Sequence, residues 1–130
     1  AENNTNVVLE PLNRYETHLI KSLADGCEIV EMAGSPPGLK IMADFFHMNI
    51  EELDIGESIR QAGDRICHVH LADSTRCEPG SAHTDFRSGF AALKEVGYDR
   101  YMAFECGLTG QPAETLKRSV EFLKEVRESV

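Results

Sequence analysis

Four short apolar runs alternate with four amphipathic segments along this chain, and no other feature limits its possible folds so tightly. The runs are NVVLEPL, LKIMADFF, RICHVHLAD and RYMAFEC, rich in strand-forming residues and bounded by turn formers. Between them the apolar spacing becomes helical. Leu19, Leu23, Cys27 and Val30 share one face of a first helix that stops at Gly34. SPPG then breaks the chain. From Ile50 one or two turns lead into a helix with Ile59 and Ala62 inward, ending near Gly63. Phe86, Phe90 and Leu93 define the next helix, with Gly97 as its C′ cap. Pro112 opens the last helix, whose expected buried stripe is Leu116, Val120 and Leu123. The order is βα four times, which predicts an α/β fold with a parallel sheet and right-handed crossovers.

At 130 residues the chain is long enough for one domain with a real core, so residues 1–130 read as a single unit. The formal net charge of −9 argues against nucleic acid or an anionic membrane as partner, since phosphate binding needs a basic surface. No apolar run approaches the ~18 residues of a membrane helix, and AENNTNVV has neither the basic start nor the apolar core of a secretory signal. Cys27, Cys67, Cys77 and Cys106 form no C-x-x-C pair and read as reduced thiols of a cytoplasmic protein. The chain begins without Met, as a processed piece of a longer polypeptide would.

In a parallel α/β sheet, ligands bind beyond the carboxyl ends of the strands. Each run here delivers a metal-competent side chain at that end: Glu10 after VVL, Asp44 after IMA, His70 closing HVH, Glu105 after MAF. One polar residue closing a strand is ordinary. Three carboxylates and an imidazole converging on one mouth would repel and lose hydration unless a cation balanced them. The donor set suits an oxygen-preferring divalent ion, Mn²⁺ first, with Mg²⁺ or Co²⁺ as substitutes. A structural zinc site would ask for thiolates.

LEPLNRYE, DFFHMNIEE, HVHLADSTR followed by PG, and FEC together resemble the xylose-isomerase-like TIM-barrel superfamily. Within it they are most similar to sugar epimerases and isomerases of the D-tagatose/D-psicose 3-epimerase type. The likeness spans nearly the whole chain but only the family's C-terminal half, so the expected fold is a (β/α)4 half of a (β/α)8 barrel. The resemblance makes Glu10, Asp44, His70 and Glu105 the metal ligands and Glu10 and Glu105 the acid/base pair. It assigns Glu16, His47 and Arg76 to substrate hydroxyls. Ala72-Asp73-Ser74 departs from the Gly-Glu-Ala of typical 3-epimerases, which bears on the choice of sugar.

The implied activity is a divalent-metal-dependent ketose 3-epimerase or sugar isomerase. It would move a proton at the carbon next to a carbonyl, through a cis-enediolate. Alternatives are a hydroxypyruvate-isomerase-like or inosose-processing enzyme, or a half-barrel without turnover. Ordinary readings accompany several residues. Glu16 opens a helix where the dipole favours an acid, and His47 lies in the loop after its strand. Glu51 and Glu52 are solvated. His68 sits deeper than His70 on the same strand face. Four strands expose two sheet edges, so the chain is expected to pair with a second copy or to lack an N-terminal half.

Overall fold

A computed structural model describes residues 5–130. The first strand, β1, is Val7–Leu9, and Pro11 follows it closely. Then come α1 (Leu23–Met32), β2 (Leu39–Asp44), α2 (Phe45–Glu51), α3 (Ile55–Ala62) and a 3₁₀ turn at Gly63–Arg65. β3 (Ile66–Leu71), α4 (Phe86–Glu95), β4 (Met102–Phe104) and α5 (Pro112–Glu128) complete the order. The strands form one parallel sheet in the order β1-β2-β3-β4, with Val8 opposite Lys40, Asp44 opposite His70 and His70 opposite Ala103. This is the expected α/β alternation, wound as part of a barrel wall.

Strand alternation divides the side chains. Ile41, Ala43, Val69 and Leu71 lie on one face, buried with Leu23, Phe45, Ile59, Phe86, Phe90 and Leu93 beneath the helices. The opposite face carries Met42 and Asp44 on β2 and the paired rings of His68 and His70 on β3, 4.9 Å apart. Phe45 stacks on Phe86 at 5.5 Å and meets Phe90 edge-on at 6.2 Å. Burying each such ring contributes about 1.5–3 kcal/mol. Gly89 makes room for them, because a Cβ there would fall 2.5 Å from Phe45 Cζ.

Caps set the helix ends, and one of them corrects an expectation. Ser22 and Asp25 form a reciprocal capping box, so α1 begins at Leu23 rather than near Glu16. Leu19 lies outside the helix and is 85% exposed. Glu16 therefore sits in a turn and does not open a helix. Phe45 and Phe46 do not extend β2, because Asp44, its last residue, caps α2 and the next residue is already helical. Pro112 does open α5, but the buried stripe is Thr115, Ser119, Leu123 and Val126. Ser119 turns inward because its hydroxyl donates to the Pro79 carbonyl at 2.8 Å, which rotates Val120 outward. Gly97 holds the left-handed backbone expected of a C′ cap, with φ +71°. Among the described residues no helix is long and apolar enough to cross a membrane.

Candidate metal centre

The four strand-end residues meet. Glu10, Asp44, His70 and Glu105 each offer one ligand atom, and these atoms all lie within 4.8 Å of one another. His70 Nδ1 stands 3.2 Å from Glu105 Oε2, 3.6 Å from Asp44 Oδ2 and 4.0 Å from Glu10 Oε1. Ligand atoms held about 2.0–2.5 Å from one shared ion fall roughly 3–4.6 Å apart, so this set fits a hard divalent cation. Three oxygens and one nitrogen give it the donor chemistry of Mn²⁺ or Mg²⁺ rather than of structural zinc.

Asp44 shows how the fold prepares the site. Its side chain is fully buried, and Oδ1 accepts the amides of Phe46 (2.8 Å) and His47 (3.4 Å) as the N-cap of α2. Oδ2 is left pointing into the centre. Glu10 carries the electrostatic load of the cluster. Burial, then the nearby Asp44 and Glu105, raise its pKa above the ordinary carboxylate value, against the pull of His70 and Arg76.

Arg76 supplies positive charge from the β3–α4 loop. Its Nη1 donates to Asp44 Oδ2 at 3.1 Å and its Nη2 pairs with Glu105. The guanidinium lies 4.5 Å over the Phe46 ring. His47 is not in a loop, as expected, but on α2, and only 2% exposed. Its Nδ1 accepts the Asn13 backbone N–H at 3.2 Å and lies 2.8 Å from Asn13 Nδ2, which places the ring proton on Nε2. Burial keeps its pKa below the usual value despite Asp44, so the ring is a neutral donor facing the centre. Arg76 Nη1, 3.4 Å from Nε2, is then a close neighbour and not a hydrogen-bond partner. Asn13 Nδ2 also donates to Glu16 Oε1 at 2.8 Å.

All seven expected site residues thus gather at one mouth. Asn13 and Phe46 belong there as well and carry no strong signal; the hint for Asn13 is a turn-forming polar residue between Glu10 and Glu16. Glu51 and Glu52 are not simply solvated. Glu51 pairs with Arg14 at 2.9 Å, and Glu52 accepts from the Leu23 amide and the Ser58 hydroxyl, both at 2.8 Å.

A family model described as xylose isomerase-like TIM barrel matches residues 1–126. The chain belongs to the xylose isomerase-like TIM barrel family. Within it, the chain is 36% identical over 125 residues to a 3-dehydro-D-guloside 4-epimerase of Escherichia coli, covering 95% of this chain and 47% of that protein. It is 41% identical over 97 residues to an L-ribulose 3-epimerase of Mesorhizobium japonicum, covering 75% of this chain and 32% of the relative. The crystal structure of a 3-keto-D-glucoside 4-epimerase from E. coli superposes with a TM-score of 0.90 at 35% identity, over 95% of this chain and 47% of that one. The chain spans about half the length of the relatives it matches over nearly its whole extent. What it shares with this xylose isomerase-like family is a run of four βα units.

Proposed function

We propose that the chain carries the metal-binding and proton-transfer half of an epimerase acting on keto sugars, first of all a ketose 3-epimerase. The convergence of Glu10, Asp44, His70 and Glu105 carries this reading. A divalent cation, Mn²⁺ by preference, supplies Lewis-acid stabilisation of negative charge at the substrate carbonyl when bound. Glu10, Asp44, His70 and Glu105 would hold it.

The other steps belong to side chains of this chain. Glu10 and Glu105 follow the two outer strands, β1 and β4, and so approach a sugar in the mouth from two sides. One removes the proton from the carbon next to the ketone and the other returns a proton on the opposite face. His47, with its proton on Nε2, donates to a substrate oxygen, Arg76 donates to a second, and Glu16 accepts from a hydroxyl. We place the enzyme in the cytoplasm, supported by its four unpaired thiols.

The relative aligned over 95% of the chain favours a second substrate class, a 3-dehydro sugar inverted at C4. Both classes invert a carbon beside a ketone, so the same residues serve either. The test is to offer the whole protein, with Mn²⁺, L-ribulose, D-psicose and a 3-dehydro glycoside in D₂O. Epimerised product with deuterium at the inverted carbon is expected, and product free of deuterium would sink proton transfer with exchange. Glu10→Gln or Glu105→Gln keeps an oxygen donor but not the base, and should lower the rate on the order of 10²–10⁴-fold.

A further inference from the structure

The twelve residues 73–84 lead from β3 toward α4 and carry Arg76, yet they contain no helix or strand. What fixes them is one carboxylate. Asp73 is 1% exposed. Its Oδ1 accepts the amides of Ser74 (2.8 Å) and Thr84 (2.9 Å), and its Oδ2 those of Gly80 and Ala82, both at 2.9 Å. Four backbone donors from both ends of the loop therefore close on a single side chain. The Asp73 backbone is engaged as well: its N–H donates to the Cys77 carbonyl and its carbonyl accepts the Arg76 N–H, each at 2.8 Å.

Arg76 needs this framework. Its φ of +59° is left-handed, a conformation that disfavours a residue with a Cβ. Arg76 holds it inside the turn made by Asp73 and Cys77, and the amide of Gly107, in the segment after β4, donates to its carbonyl at 2.8 Å. The hydrogen bonds of the Asp73 carboxylate all go to the loop and none to Glu10, Asp44, His70 or Glu105.

We propose that Asp73 is a positioning residue: by gathering four loop amides on one buried carboxylate it fixes the backbone from which Arg76 reaches the metal centre. It thereby controls how substrate is engaged without contacting substrate, a role that rests on Arg76 being a substrate ligand. This also gives the Ala72-Asp73-Ser74 departure a physical meaning. The acid at that position faces the loop, so its effect on the choice of sugar passes through Arg76.

A double-mutant cycle tests the inference in the whole protein, with Mn²⁺ affinity measured by calorimetry. Arg76 shares Asp44 and Glu105 with the cation and repels it. Arg76→Ala should therefore tighten Mn²⁺ binding, on the order of three- to tenfold. Asp73→Asn puts amide hydrogens against amide donors and frees the loop, so it should also tighten binding, and should add nothing in the Arg76→Ala background. A merely structural role predicts the opposite sign, weaker binding, with the same loss in both backgrounds; that result overturns the proposal. If Asp73→Asn does not fold, Ala82→Pro removes one of the four donors and keeps the carboxylate, and the same signs apply. Kinetics form a separate arm. With an accepted keto sugar, Asp73→Asn should raise KM on the order of tenfold with little change in kcat, and Asp73→Glu should restore part of it. Absence of turnover in the unmodified protein would count against the epimerase reading and leave the calorimetric cycle to decide on Asp73.

Discussion

Asp44 meets two demands with one side chain: one oxygen starts a helix and the other faces His70 and Arg76 in the strand-end cluster. The convergence of Glu10, Asp44, His70 and Glu105 was legible from residues alone. A side chain closing a parallel strand must point into the mouth, and four such closures in four strands leave few other readings. His70 is the sole nitrogen in the set. His70→Ala should weaken Mn²⁺ binding on the order of 10–100-fold in a calorimetric titration, and unchanged affinity would remove it from the site. Asn13 was not legible. Its worth depends on His47, 34 residues away in sequence, and no local pattern reports which of the two imidazole nitrogens a distant amide will meet. His47 is expected in a loop but lies on α2, because a helix beginning inside DFF is visible only once Asp44 is seen to cap it.

Helix–strand order is the most secure level of reading, since period 2 and period 3.6 are hard to confuse over four repeats. The ends of elements are less so. Leu19 fits the helical spacing of α1 perfectly well, but the Ser22–Asp25 box starts the helix after it. In α5 an apolar stripe was expected where two hydroxyl residues turn inward, because the helix packs on the β3–α4 loop through Ser119. Close packing between elements makes its own predictions. Gly89→Ala would press a methyl group onto Phe45, the first residue of the helix that carries His47, and overpacking of this kind costs about 1–3 kcal/mol. Urea unfolding should show the loss, and an unchanged midpoint would mean that α4 can shift freely. The β3–α4 loop has a pH signature. Burial pushes the pKa of Asp73 up, but the amides of Thr84, Ala82 and Ser74 outweigh it and leave the value lowered. A lowered pKa contributes stability that is fully present above the unfolded value of about 3.9 and lost as pH falls through the folded value. Below about pH 4 the metal-free protein should therefore lose urea resistance faster than its Asp73→Asn variant. Parallel acid curves would show that the loop carboxylate contributes nothing.

At the scale of the whole molecule, the sheet formed by the described residues is open. β1 and β4 each pair on one side, and their free sides carry apolar surface: Val7 is 66% exposed, Val8 40%, Tyr101 89% and Phe104 36%. Val120, turned outward from α5, lines a cleft of about 320 Å³ beside β4 together with Met102 and Phe104. Parallel strands are normally covered on both faces, and unblunted edges recruit partners. Relatives matched along 95% of this chain are about twice as long. For the 130 residues on their own, a second copy offers the matching surface. A two-fold axis along the barrel direction sets β4 of one copy beside β1 of the other with all strands parallel, and the repeated contact closes both edges at once. The 130-residue chain expressed alone should therefore scatter light as a dimer at micromolar concentration. Val8→Asp, which places a charge on the inward face one alternate position before Glu10, should abolish dimer and fold together. A well-folded monomer would refute closure by pairing, and it would show that four βα units tolerate open edges whose residues carry no device to blunt them.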